Sequence, residues 1–277
     1  MNDIAVTGST GNIGGRVARH LEAAGLRQRL LVRDPSRAPQ LENAEVVTAG
    51  YGDADAVRRA LTGIDTVLMV SASETLNRVA GHRTFVDAAA DAGVTHVVYT
   101  SFFGARPDAT FTLARDHWAT EEHIKASGMQ YTFLRDNLYA DFLGSMFGED
   151  GVLRGPAGDG VVAAVAQADI AEVAAAVLRD PVSHAGATYD LTGPEALSLD
   201  EIAAVVTAAT GRPMSYRNET LDEAYASRAS YGAPDWQVDA WVSTYTAIAN
   251  GELAGVTDSI ETITGHRATS LAELLAR

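Results

Sequence analysis

Two rhythms of hydrophobic and polar positions alternate along the first half of this chain. Short apolar runs predict strands at Ile4-Ala5-Val6, Arg29 to Val32, Glu45 to Ala49, Thr66 to Val70, His96 to Thr100 and Gln130 to Leu134. Between them apolar residues recur every three or four positions, which predicts helices over Arg16 to Ala24, Ala54 to Leu61, Asn77 to Ala92 and Arg115 to Ser127. Apolar strands alternating with such helices specify an α/β architecture, a doubly wound parallel sheet covered on both faces. Beyond Tyr139 the alternation fades. A helix from Asp169, read as its cap, to Leu178 and a strand at Thr188 to Leu191 are expected to return to the sheet. Three helix starts of capping-box type follow, Ser198 with Glu201, Thr220 with Glu223 and Ser270 with Glu273. The expected organisation is a sheet domain over 1–136 and a smaller, mostly helical substrate-side region over 137–277, with a segment near 161–191 rejoining the sheet.

The first strand runs into Gly8-Ser9-Thr10-Gly11-Asn12-Ile13-Gly14 and then into the first helix. A strand that breaks at Gly8 and restarts as a helix near Gly11 aims unpaired N–H groups and the positive helix end at one spot, which suits a pyrophosphate. Gly8 permits the tight turn, Gly11 lets the backbone approach a ligand, and Gly14 lets the helix pack close to the strand. The spacing is G-x-x-G-x-x-G. With strand before and helix after, dinucleotide binding on a Rossmann-type sheet is favoured over a plain strand-to-helix turn.

In such sheets ligands lie outside the carboxyl ends of the strands, where Gly8, Arg33, Asp53, Ser71 and Ser101 are expected to converge. Arg33 directly follows the second strand, ahead of Asp34 and Pro35. An arginine there donates to a 2′-phosphate and an acid accepts from a 2′-hydroxyl, so the order favours NADPH, with NADH as the alternative cofactor. Such a fork on a phosphate is worth about 1.5–3 kcal/mol. Arg37 is a second, weaker candidate. Asp53 either accepts from the adenine amino group or caps the helix that follows. Ser71, Ala72 and Ser73 are small enough for a cofactor to pass over the sheet edge, and Thr100 and Ser101 close the fifth strand beside them.

Composition narrows the class. At 277 residues and 47% hydrophobic content the chain has enough apolar side chains for a sizeable core. No apolar run approaches the ~20 residues of a membrane span, and the N-terminus opens into a strand, so a soluble cytoplasmic protein without a membrane partner is expected. The chain has no cysteine, which excludes disulfides, thiolate metal sites and thiol nucleophiles. Its histidines are scattered, so no metal site is expected. A net charge of -15 argues against a nucleic-acid partner. The oligomeric expectation is a monomer or a homodimer.

The segments Thr7 to Gly14, Val32-Arg33, Tyr99-Thr100-Ser101, His117 to Glu121 and Thr132 to Tyr139 resemble the NmrA-like, atypical branch of the short-chain dehydrogenase/reductases. Within it the chain is similar to bacterial NAD(P)H:quinone oxidoreductases and triphenylmethane-dye reductases, and the match reaches Gly251-Glu252 and Ile263 to Leu271. The resemblance implies an NAD(P)H-dependent enzyme.

The usual reductases of the superfamily use a Tyr-x-x-x-Lys pair, in which lysine grips the ribose and tyrosine protonates the substrate oxygen. The single lysine here is Lys125, with Glu121 four residues before it. If Glu121 marks the glutamate that often follows the pair, the lysine position falls on His117 and the tyrosine position on Leu113. A missing acid favours acceptors that need none: a quinone, which gives a resonance-stabilised phenolate, or a conjugated cation. The expected activity is hydride transfer from NADPH to such a small-molecule acceptor. A cofactor-binding redox sensor and a biosynthetic reductase for a conjugated or iminium substrate are the alternatives. His117 is expected to bind the nicotinamide ribose or assist protonation. Asn137 and Tyr139 are expected to donate to the carboxamide or the acceptor oxygen, or else to cap the next helix. Phe102 and Phe103, with Tyr139, are expected to wall the acceptor slot, core packing being the other reading for the two phenylalanines.

Overall fold

The computed structural model describes residues 4–276. Seven strands form the main sheet: β1 (Ile4–Thr7), β2 (Gln28–Val32), β3 (Ala44–Thr48), β4 (Thr66–Met69), β5 (His96–Phe102), β6 (Gln130–Asp136) and β9 (Thr188–Leu191). Their order is β3-β2-β1-β4-β5-β6-β9. β1 pairs in parallel with both β2 and β4, so the order reverses at β1 and opens a crevice beyond its carboxyl end. Every residue of β1, β4 and β5 is buried, as expected of parallel strands covered on both faces.

Period-two geometry sends alternate residues of these strands to opposite faces. Ala5, Leu31, Val67, Met69, Val97 and Tyr99 join one core with Val57, Leu61, Phe85 and Ile124. These last four come from α2 (Ala54–Leu61), α3 (Arg78–Asp91) and α4 (Thr112–Ala126). On the other side α1 (Asn12–Ala23) packs against α6 (Gln167–Arg179), which also touches β4 and β5.

The chain separates into two compact units. Among the described residues the first comprises 4–102, 116–135 and 167–189, the second 103–115, 136–166 and 190–276. The segment from the end of β5 through the first turn of α4 thus belongs with the second unit, although a boundary at 136 would assign it to the sheet. In the second unit β7 (Val152–Gly155) pairs in parallel with β11 (Ser215–Asn218), and β8 (Val161–Val162) pairs antiparallel with β10 (Leu197–Ser198). Its helices include α5 (Ala140–Leu143), α7 (Leu199–Thr210), α8 (Leu221–Arg228), α9 (Asp235–Ala249), α10 (Ser259–Thr264) and α11 (Leu271–Leu275).

All three capping boxes are present, at the starts of α7, α8 and α11. Asp169 is not a cap: it lies inside the first turn of α6, which starts two residues earlier. Helix α9 escapes the pattern analysis because its valine, threonine, tyrosine and tryptophan residues lower helix propensity. Strands of two to four residues such as β7, β8, β10 and β11 are too short to display a period. No helix of the described residues is long and apolar enough to cross a membrane.

Candidate functional site

The glycine turn at the crevice is tight. Gly8 has φ +63°, a region open to glycine, and its carbonyl accepts from Gly11 N at 2.9 Å. A Cβ on Gly14 would lie 2.5 Å from Gly8 O, so only glycine lets α1 start this close to β1. No side chain caps α1 and no acid occupies its first turn, which leaves its leading N–H groups for a ligand. Asn12 Nδ2 donates to Gln167 Oε1 at 3.1 Å, tying the turn to α6, while Ile13 is buried beneath it.

One atom of this turn lacks a partner. The Ser9 hydroxyl is buried and makes no hydrogen bond. A buried donor without an acceptor is costly, and a phosphate oxygen would satisfy it. Beside it lies a cavity of about 570 Å³ lined by Ser9, Thr10, Gly11, Asn12, Arg16, Arg19, His20 and Arg37. Three arginines around one cavity, in a chain of net charge -15, mark an anion site. The turn and this cavity fit a dinucleotide bearing an extra phosphate. Arg16, Arg19 and His20 were missed from sequence, although their spacing along α1 is that of one helix face.

Arg33 stands exposed just past β2. Asp34 is engaged locally: its Oδ1 accepts from Ser36 N at 3.0 Å and Ser36 Oγ at 2.7 Å. The Asp53 carboxylate caps α2 by accepting from Ala56 N at 2.9 Å. That is the second of its two expected roles.

After β4 the chain forms a strap, Val70-Ser71-Ala72, with main-chain groups held by side chains from around it. Val70 N donates to Thr7 Oγ1 at 2.9 Å, and Tyr51 Oη donates to Val70 O at 2.5 Å. Ser71 N donates to Thr100 Oγ1 at 2.8 Å. Ala72 N donates to His82 Nε2 at 2.9 Å, and Arg78 Nε donates to Ala72 O at 2.9 Å. Thr100 is therefore a support for the strap. Ser71 and Ala72 are half-buried and Ser73 is exposed.

Two histidines beneath the strap have their tautomers set by these bonds. His82 accepts on Nε2, so its proton sits on Nδ1 and faces Thr120 Oγ1 at 2.9 Å. Burial, then the Arg78 charge, pushes its pKa down to about 3. His117 receives Arg78 Nη2 on Nε2 at 2.8 Å, which places its proton on Nδ1, 3.1 Å from Tyr99 Oη. Burial first, then Arg78 and His82, hold it well below the ordinary histidine range. A neutral imidazole with both nitrogens engaged is poorly suited to donate a proton. The expectation of acid catalysis by His117 therefore gives way to a supporting role.

Ser101 points elsewhere than expected. Its hydroxyl donates to Glu121 Oε1 at 2.5 Å, and Glu121, fully buried, also accepts Arg135 Nε at 2.8 Å and Nη2 at 2.6 Å. The Phe102 ring is buried with its centre 6.0 Å from the His117 imidazole.

In the second unit Phe103 packs so closely on Gly255 that a Cβ there would lie 2.8 Å from Phe103 Cζ. Asn137 is fully buried, with Nδ2 donating to Leu253 O at 3.0 Å and Oδ1 accepting from Leu138 N at 2.8 Å. Its amide is bound to main chain at both ends, a staple in place of the expected donor to a ligand. Tyr139 is the N-cap residue of α5 without a capping side-chain bond, and its Oη donates to Asp136 Oδ2 at 3.3 Å. Burial raises Asp136 well above the usual carboxylate range.

The second unit also contains a cavity of about 740 Å³, walled by Phe147, Tyr231, Trp241 and Tyr245 with Met146, Arg154 and Arg228. The Arg228 guanidinium lies 5.1 Å from the Tyr245 ring centre, and Glu219 Oε2 accepts from Arg228 Nη1 at 3.1 Å. These residues lie far apart in sequence, so no local motif announces them. Among the described residues no group of three or more His, Asp or Glu is placed to hold a metal.

Known proteins share this framework. Quinone oxidoreductase 2 of Escherichia coli (strain K12) is 34% identical over 277 residues, covering 98% of this chain and 96% of that protein. NAD(P)H azoreductase of Xenophilus azovorans is 35% identical over 276 residues, with 98% and 96% covered. The crystal structure of the NADPH-dependent quinone oxidoreductase QOR2 from Escherichia coli, complexed with NADPH, superposes with a TM-score of 0.90 at 33% identity. It covers 99% of this chain and 98% of that one. The model of the NmrA-like family matches residues 1–247, and the chain belongs to that family.

Proposed function

We propose that this chain is an NADPH-dependent oxidoreductase that passes hydride to a quinone-like or other conjugated small-molecule acceptor. The observation that carries the reading is the glycine turn, with its unsatisfied buried Ser9 hydroxyl opening on a cavity lined by arginines. Relatives named as quinone oxidoreductase and azoreductase support the same class of acceptor.

Bound NADPH supplies the hydride. The protein's part is binding, orientation and exclusion of water. The leading N–H groups of α1 and the Ser9 hydroxyl hold the pyrophosphate, while Arg33 and Arg37 take the 2′-phosphate. The strap, held by five side chains, gives the cofactor a rigid edge to lie on. No Tyr-x-x-x-Lys pair is present, because the only lysine is Lys125. A quinone reduced to its resonance-stabilised anion tolerates that absence far better than a simple ketone does.

The test is NADPH consumption with a small benzoquinone and with an azo or triarylmethane dye. Turnover on at least one of them is expected. Tight binding of NADPH and NADP+ with similar affinity and no turnover on any acceptor would favour a cofactor-sensing protein instead.

A further inference from the structure

If Glu121 marks the glutamate that follows the usual Tyr-x-x-x-Lys pair, the lysine position falls on His117, which burial holds neutral, yet a fixed positive charge stands next to it. Arg78 reaches in from α3 with its side chain 5% exposed. Its Nε holds Ala72 O of the strap at 2.9 Å and its Nη2 holds His117 Nε2 at 2.8 Å. Its Nη1 is buried and has no hydrogen-bond partner. Asp116 Oδ2 lies 3.8 Å away, within ion-pair range but beyond a hydrogen bond. A guanidinium stays charged at all accessible pH, so this N–H cannot be relieved by losing its proton.

The surroundings say what kind of acceptor is lacking. Arg78 grips the strap at the carboxyl end of β4, beside β1 at the reversal of strand order. A Cβ on Gly8 would lie 2.9 Å from Val70 Cβ, so the glycine turn and the strap are in direct contact. A dinucleotide with its pyrophosphate on that turn would have the strap as the neighbouring surface for its next sugar. The phosphates have their own N–H groups and arginines at the turn. A neutral oxygen is what remains for Arg78.

We propose that Arg78 Nη1 donates to a hydroxyl of the nicotinamide-side ribose, so that an arginine from α3 takes the sugar-gripping role of the absent lysine. The proposal rests on the reading that the turn binds NADPH, and it assigns a cofactor contact to a residue outside both the glycine motif and the expected pair position. His117 then acts as a positioning residue, fixing the guanidinium through its Nε2 lone pair.

Two ligands separate this role from general support of the fold. NADPH carries the nicotinamide-side ribose; adenosine 2′,5′-bisphosphate keeps the 2′-phosphate and lacks that sugar. Titration of Arg78→Met by intrinsic fluorescence or calorimetry is expected to show NADPH weakened by roughly tenfold to a hundredfold, the range for a lost charge-assisted hydrogen bond. Binding of adenosine 2′,5′-bisphosphate should stay within about twofold of wild type by the same scale. Arg78→Lys, which keeps the charge and a donor, should recover part of the NADPH loss, and it carries the test should the methionine variant fail to fold. Equal losses for both ligands, or no loss for NADPH, overturn the proposal. Wild-type protein that binds neither ligand would instead defeat the NADPH reading itself.

Discussion

Arg33 and Asp34 leave β2 side by side, yet their side chains have different work. Asp34 is committed to Ser36, where it turns the chain, while Arg33 stands exposed at the strand end. A carboxylate already accepting two local hydrogen bonds is a poor partner for a ribose hydroxyl, and the arginine remains for a phosphate. Arg33→Ala is expected to weaken NADPH by roughly tenfold or more while leaving NADH nearly unchanged, as loss of a phosphate fork implies. Equal losses for the two cofactors in a binding titration would remove the side chain from the 2′-phosphate. This pair was legible in the sequence because strand end, turn and proline are neighbours. Arg78 was not, because its partner His117 lies 39 positions away and only the packing of α4 beside α3 brings them together.

At the scale of elements, the strand-turn-helix unit and the strap solve different problems. The turn is determined by its own residues: a helix start at Asn12 so close to β1 requires glycine at 14. Gly14→Ala would set a methyl 2.5 Å from a backbone oxygen, which no side-chain rotation relieves. The expected result is a destabilisation of about 1–3 kcal/mol from forced backbone movement, together with weaker NADPH binding. Thermal unfolding and the same titration check it, and a variant with wild-type values for both would show that the close approach is dispensable. The strap has no such local logic. Its shape is imposed by Thr7, Tyr51, Arg78, His82 and Thr100, which come from four separate parts of the chain.

For the whole molecule, the buried histidines set a pH dependence. An unfolded histidine titrates near 6.5, whereas His82 is lowered to about 3 and His117 well below 6.5. Below about pH 6.5 the unfolded chain therefore binds protons that the folded chain does not, and stability present at neutral pH is lost as the pH falls. For His82 alone the loss between pH 7 and pH 5 comes to about 2 kcal/mol. Thermal unfolding should show a fall in Tm over that interval, and His82→Gln, which keeps an acceptor for Ala72 N, should flatten it. Identical slopes for the two proteins would contradict a neutral buried imidazole. Asp136 works in the opposite sense, since its raised pKa makes folding less favourable as the pH rises through it.

What the sequence determined by itself are the features written in adjacent residues or in short periods. Unbroken apolar strands and helical spacing specified the covered parallel sheet, the glycine spacing specified the turn, and each Ser/Thr to Glu box specified a helix start. Tertiary structure alone decided which polar side chains meet. It turned Asn137 into a staple on Leu253, directed Ser101 to the Glu121–Arg135 pair, and gathered the aromatic cavity from α8, α9, Tyr231 between them, β7 and the segment that precedes it. The physical reason is that backbone periodicity follows from sterics and burial within a few residues. The role of a buried polar group depends on which distant donor or acceptor the packed chain brings within hydrogen-bond reach.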